Sequence, residues 1–182
     1  DLGGDKVLPG GTPQDAENAK RLGTAVHRLL EVLPNAPQDQ WGHIAQRLVE
    51  ADIQAAAFQE ARAVLQQPQI AYIFAPESLA EVDISAHLPE LNGDPIQGSI
   101  DRLLISPTRV LAVDFKSNQI VPSEVAQVPS GLLRQMGAYA AALSQIYPHH
   151  DIETAILWTK TLELMPLPPD LVISSLANTS PA

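Results

Sequence analysis

Cysteine is absent from the 182 residues, which removes disulfide frameworks, thiolate zinc sites, cysteine nucleophiles and cysteine-ligated iron–sulfur clusters together. Basic residues are scarce: 11 Lys and Arg stand against 21 Asp and Glu, a net charge of −10. That balance argues against a free-standing, high-affinity nucleic-acid binder. No apolar run approaches the roughly 20 residues of a membrane helix. No basic segment followed by an apolar one opens the sequence, so a reducing, cytoplasmic setting without membrane attachment is expected. A Gly-x-x-x-x-Gly-Lys-Ser/Thr phosphate loop is also missing, so no bound nucleotide and no helicase motor are expected in this stretch.

What is present suits a folded domain. Hydrophobic residues make up 45% and charged residues 18%, and the length fits one domain with terminal extensions. The charge is uneven. Residues 1–97 carry 6 basic and 14 acidic side chains, and residues 140–182 carry 1 and 4. Between them, Arg102, Arg109, Lys116 and Arg134 outnumber Asp101, Asp114 and Glu124. The centre of the chain can face an anion although its flanks cannot.

Residues 1–11, with four glycines and Pro9, read as a flexible arm. Thr12-Pro13 reads as a helix start, with Thr12 as N-cap, Pro13 at the first helical position and Asp15 near the positive end. Leu22, Val26, Leu29, Leu30 and Leu33 then form one apolar helical face, which Pro34 and Pro37 end. A second helical region spans about 39–67, with Trp41, Ile44, Leu48, Ala51, Ala55, Phe58, Ala61 and Leu65 as its inner face. A break near Asp52 divides it, and Pro68 closes it. After Pro76 the period falls to two: Leu79, Glu81, Asp83 and Ser85 alternate with Ala80, Val82 and Ile84. A turn at 92–95 leads to a second strand over 96–105, and Ser106-Pro107-Thr108 turns into a third over 110–115, an antiparallel meander. A helix over about 132–146, a strand over 152–158 and a short fifth strand over 162–165 follow. Residues 166–182, with Pro166, Pro168, Pro169 and Pro181, read as a Pro-rich, poorly ordered tail. The expected fold class is α/β (α+β), a central mixed sheet flanked by helices.

Four spaced motifs carry chemistry. Asp114 and Lys116 are two apart on a strand and share a face. Across the 106–108 turn, Asp101 falls opposite or nearly opposite Asp114, and carboxylates that close are unfavourable unless a cation lies between them. A hard metal held by oxygen ligands, with a lysine beside it, answers that need; a solvated strand end neutralised by Lys116 answers it too. His27 lies one position off the Val26 stripe, with Gly23 a turn earlier clearing space beside the imidazole. Gln135 and Tyr139, at i and i+4, share a helix face.

The ordered set Gly23-x-x-x-His27, Gly98-x-x-Asp101-Arg102, Asp114-x-Lys116 and Gln135-x-x-x-Tyr139 resembles the RecB-like branch of the PD-(D/E)XK nucleases. The segments GTAVHRLLEVLP, AEVDI, GSIDRLL, VDFKSN and RQMGAYAAAL are similar to the C-terminal nuclease domain of AddA-type helicase–nuclease subunits, over about residues 20–165. Two positions depart from that pattern: Ile100 rather than proline precedes Asp101, and Leu104 replaces an acid often found there. The resemblance implies a restriction-endonuclease-like core over 12–165 with an extra helical N-terminal region. It implies Mg²⁺ or Mn²⁺ held by His27, Asp101, Asp114 and the carbonyl of Phe115, with Asp101, Asp114 and Lys116 as catalytic residues and no iron–sulfur cluster. Gln135, Tyr139, Glu81 and Arg102 would support the site or contact DNA. The implied function is exonuclease processing of double-strand break ends for recombinational repair. Duplex ends and single strands would be substrates, and the helicase portion of a parent chain and an AddB-type subunit would be partners. Two rivals remain at this level: a catalytically silent nuclease-fold scaffold that docks DNA or a partner, and a small-molecule metallohydrolase.

Overall fold

Thr12 and Asp15 cap the first helix reciprocally. The Asp15 N–H donates to the Thr12 hydroxyl, and the Thr12 N–H donates to the Asp15 carboxylate at 2.8 Å. This satisfies two amides that a helix start otherwise leaves without partners. The helix, α1 (Pro13–Val32), buries Val26, Leu29 and Leu30 on the expected face, each such side chain contributing about 1.5–3 kcal/mol in transfer terms. The computed structural model describes residues 12–89 and 95–177; the arm at 1–11, the 92–94 turn and residues 178–182 lie outside it.

Five strands form one sheet in the order β1-β2-β3-β4-β5: β1 (Leu79–His87), β2 (Pro95–Ile105), β3 (Arg109–Lys116), β4 (Asp151–Trp158) and β5 (Glu163–Leu167). The first three make the antiparallel meander, with the Ser106 N–H closing the turn onto the Arg109 carbonyl at 2.8 Å. β4 runs parallel to β3 and β5 antiparallel to β4. A parallel neighbour needs a crossover, which α4 (Ser130–Ile146) supplies.

The sheet is buried on both faces. Leu111, Val113 and Phe115 of β3 join α1, α2 (Trp41–Leu48) and α3 (Gln54–Leu65) on one side. Val110 and Ala112 join α4 and α5 (Pro169–Ala177) on the other. Such a strand reads as a continuous apolar run, so the polar side chains at its end stand out.

Three expectations need correction. On the second helical region Ala61 enters the core and Trp41, Ile44, Phe58 and Leu65 pack against it as expected, but Leu48, Ala51 and Ala55 are exposed, and Ala45 on α2 with Ala57, Glu60 and Val64 on α3 are buried instead. The non-helical residues 49–53 reset the helical phase, so one stripe could not be carried through. A 3-10 helix at Pro68–Phe74 follows, where only a stop was expected.

The third concerns the tail. β5 extends to Leu167, and α5 buries Val172 and Leu176 against α4. The prolines misled because each stands where proline is tolerated. Pro166 is on an edge strand and Pro169 is the first residue of its helix. α4 accepts α5 at Gly137, where an added Cβ would lie 2.2 Å from the Val172 carbonyl oxygen.

Candidate active site

The β2–β3 ladder runs from Ile105↔Val110 to Arg102↔Val113. The next step would set Asp101 against Asp114, as the spacing predicts, but the ladder ends there. The Phe115 N–H instead donates to Asp101 Oδ2 at 2.5 Å. β2 also changes faces at this level: Ile100 and Leu103 both enter the α4-side core, although residues three apart on a regular strand point oppositely. Across from Asp101, the β1 pairing passes from Ala80 to Val82 without Glu81, whose φ is 48°. A non-glycine residue held there stores about 1–3 kcal/mol, which surrounding structure must offset.

Three elements meet at this break. Phe115 turns its ring into the α1 side and takes the His27 imidazole edge-on, with centroids 5.7 Å apart. His27 Nδ1 then lies 3.3 Å from Asp101 Oδ1. On β3, Lys116 Nζ lies 2.9 Å from Asp114 Oδ2. Gly23 does not make room for the imidazole as expected: an added Cβ there would meet Ser117 Oγ at 2.7 Å, so it admits the chain leaving β3.

The electrostatics follow from burial. Loss of solvent raises the pKa of the Asp114 carboxyl, and Asp101 adds to this, while Lys116 and His27 oppose it. Burial also raises the Glu81 carboxyl, helped by Asp101. For His27, burial favours the neutral ring, but the hydrogen bond to Asp101 and the charges of Asp101 and Asp114 outweigh it and leave the pKa raised. The cluster is crowded with negative charge and favours cations.

Gln135 and Tyr139 do share a face, and their contacts are specific. Gln135 Nε2 donates to Asp114 Oδ1 at 3.1 Å and to the Tyr139 hydroxyl at 3.0 Å. That hydroxyl donates to the Ser99 carbonyl at 2.9 Å, and Ser99 Oγ donates to Glu81 Oε2 at 3.3 Å. One chain of hydrogen bonds thus joins Asp114 to Glu81 through α4 and β2. Gly98 permits it, since a Cβ there would lie 2.9 Å from the tyrosine ring and hydroxyl. Sequence reasoning missed Ser99; its serine-glycine setting gives no signal without the tyrosine beside it.

Arg102 is placed elsewhere. Its guanidinium is buried, donating to the Leu30 carbonyl at 2.8 Å and to Ser78 Oγ at 3.2 Å, and it stacks over Phe74. These contacts tie β2 to the helical layer. A cleft of about 310 Å³ beside α1, bordered by Lys20, Arg21, Arg28 and Glu50, includes none of the clustered residues. Its arginines are paired, Arg21 with Glu50 and Asp52, and Arg28 with Glu31.

The donor set suits a hard divalent cation: two carboxylates, an imidazole and the Phe115 main-chain carbonyl, in a cluster where burial raises the Asp114 and Glu81 carboxyls and a bound cation would favour their charged forms. Among the described residues no three such side chains stand close enough together to hold an ion. The His27–Asp101 and Asp114–Lys116 pairs would have to open to admit one.

Comparison with known proteins gives one family. The sequence profile of the PD-(D/E)XK nuclease superfamily matches residues 5–165. No curated protein matches the chain. A solved structure described as "Crystal structure of SSO0001" is similar over 91% of this chain and 84% of that one, with 11% identity and a TM-score of 0.34, a likeness too loose to bear on the site.

Proposed function

The chain belongs to the PD-(D/E)XK nuclease superfamily, and from that premise we propose that it is a divalent-metal-dependent deoxyribonuclease domain, an exonuclease of the RecB-like, AddA type. The observation that carries the reading is the meeting of His27, Asp101, Asp114 and Lys116 from one helix and two strands where β2 and β3 part. Core packing does not require four polar side chains to gather at a strand break.

Asp101, Asp114, His27 and the Phe115 carbonyl would hold Mg²⁺ or Mn²⁺, whose chemistry when bound is to polarise a phosphate oxygen and acidify water. The chain's own residues do the rest. Gln135 fixes the orientation of Asp114. Lys116, with its ammonium beside Asp114, places positive charge where a phosphodiester in attack gathers negative charge, or orients the attacking water. His27 lies beside Asp101 and in T-shaped contact with the Phe115 ring, so the imidazole is positioned before substrate arrives.

In a cell, this reading places the domain in the cytoplasm, in a helicase–nuclease that processes double-strand break ends, with an AddB-type partner. A net charge of −10 fits a module that receives DNA from a motor: alone it should bind weakly, with a shallow salt dependence. The test of substrate class is direct. With Mg²⁺ or Mn²⁺, end-labelled duplex and single-stranded DNA should be shortened while nucleotide monoesters are left intact. Preferential hydrolysis of the monoesters would replace the nuclease reading with a small-molecule phosphoesterase.

A further inference from the structure

Glu60 is the one acid on the buried face of α3, set between Ala57 and Ala61 with Val64 a turn further on. A carboxylate among apolar side chains is unfavourable unless its oxygens are met, and both are met by one turn. Thr159 Oγ1 donates to Glu60 Oε1 at 2.5 Å and Lys160 Nζ to Oε2 at 2.5 Å. These residues lead from β4 toward β5. Thr159 has a second role: its N–H donates to the Lys116 carbonyl at 2.9 Å, and its hydroxyl oxygen lies 3.2 Å from the same carbonyl. The hydroxyl has one proton, and the shorter, charge-assisted contact to Glu60 claims it. The carbonyl is therefore left to the Thr159 amide.

Resting on the nuclease reading of the Asp114–Lys116 site, we infer that Glu60 is a positioning residue for Lys116, acting through Thr159. Lys116 is the last residue of β3, the point at which a strand frays unless its final carbonyl is held. Glu60 holds Thr159 from the α1–α3 side, Thr159 holds the Lys116 peptide, and that peptide aims the ammonium on the opposite side, toward Asp114. A displacement of the order of 1 Å in such a group is enough to cost about 100-fold in rate.

Glu60→Leu should lower kcat for DNA about 10-fold or more with KM unchanged, whereas Glu60→Gln, which keeps an acceptor for Thr159, should restore most of it. Thr159→Val, close in shape, should behave like Glu60→Leu and serves if that variant fails to fold. In parallel, hydrogen exchange at the Thr159 amide should be faster in Glu60→Leu than in wild type, with α3 amides unchanged. Wild-type kcat in Glu60→Leu and Thr159→Val, equal losses for Gln and Leu, or a loss matching only the unfolded fraction would overturn the inference. If wild type cuts no DNA, the nuclease reading fails, and Thr159 exchange alone decides the anchor: unchanged exchange in Glu60→Leu overturns it.

Discussion

Gln135 holds Asp114: its Nε2 lies 3.1 Å from the carboxylate Oδ1, while its other amide hydrogen reaches the Tyr139 hydroxyl at 3.0 Å. The carboxamide therefore fixes which oxygen of Asp114 is bound to α4 and which is left toward Lys116. Removing it should be felt in the chemistry before it is felt in the fold. Gln135→Ala should lower cleavage about 10–100-fold, the scale seen when a partner of a ligand is lost. Tyr139→Phe keeps the buried ring and loses two hydrogen bonds, so its effect should be smaller in rate and about 1 kcal/mol in stability. Steady-state cleavage beside urea denaturation separates the two effects; unfolding of either variant would show the helix face to be structural only.

Asp114 itself works against folding. Its pKa is raised above the ordinary 3.8 chiefly by burial, so the folded domain binds that proton more tightly than the unfolded chain does. The destabilisation is complete above the raised folded pKa and is relieved as pH falls through it towards 3.8. Asp114→Asn should therefore be more stable than wild type at neutral pH, with the gap narrowing as the buffer is acidified. Thermal melts of both proteins from neutral to acidic pH check this. A gap that widens on acidification would contradict it.

Lys116→Ala separates binding from turnover. The lysine is assigned to the reacting phosphate rather than to the ion, so its loss should reduce cleavage by about 10²–10³-fold, as for other groups that meet transition-state charge. Mn²⁺ affinity by calorimetry should be kept or improved, since the variant removes a competing cation 2.9 Å from Asp114. Loss of Mn²⁺ binding would show that the lysine serves the fold of the site instead.

Gly137→Ala tests the packing of α5. Alanine gains about 1 kcal/mol of helix propensity over glycine, but its Cβ would stand 2.2 Å from the Val172 carbonyl oxygen. Overpacking against backbone costs about 1–3 kcal/mol, so the net change should be a loss of the order of 1 kcal/mol or more, read by chemical denaturation. A gain in stability would mean that α5 is not seated there.

The sheet and its flanking helices were legible because apolar period and turn chemistry agree along most of the chain. β3 reads as a buried run, the 106–108 turn sets its register with β2, and Thr12 with Asp15 marks a helix start. What was not legible depends on a second element being in place. Pro166 and Pro169 look like breakers until the edge strand and helix start that tolerate them are known. Glu60 looks solvated until Thr159 and Lys160 arrive from about one hundred residues away. Arg102, beside Asp101 in sequence, takes its partners from Leu30 of α1, Phe74 of the 3-10 segment and Ser78 just before β1 rather than from the cluster. In the site, the nearness of Asp101 to Asp114 was predictable from register, but the end of the ladder before that pair and the Gln135–Tyr139–Ser99–Glu81 chain were not. Those contacts need the face change in β2 and the close approach at Gly98.

The central claim is that the cluster built on Asp101 and Asp114 is a metal-dependent phosphodiesterase centre. The most direct measurement is a Mg²⁺ and Mn²⁺ titration of end-labelled DNA cleavage by wild type and Asp114→Asn, with folding of both verified by circular dichroism. The account predicts cleavage by wild type that rises with metal, stops on chelation, and falls by at least about 10³-fold in Asp114→Asn. Folded wild type that cuts no DNA at any metal concentration, or an Asp114→Asn variant that cuts as well as wild type, would contradict it.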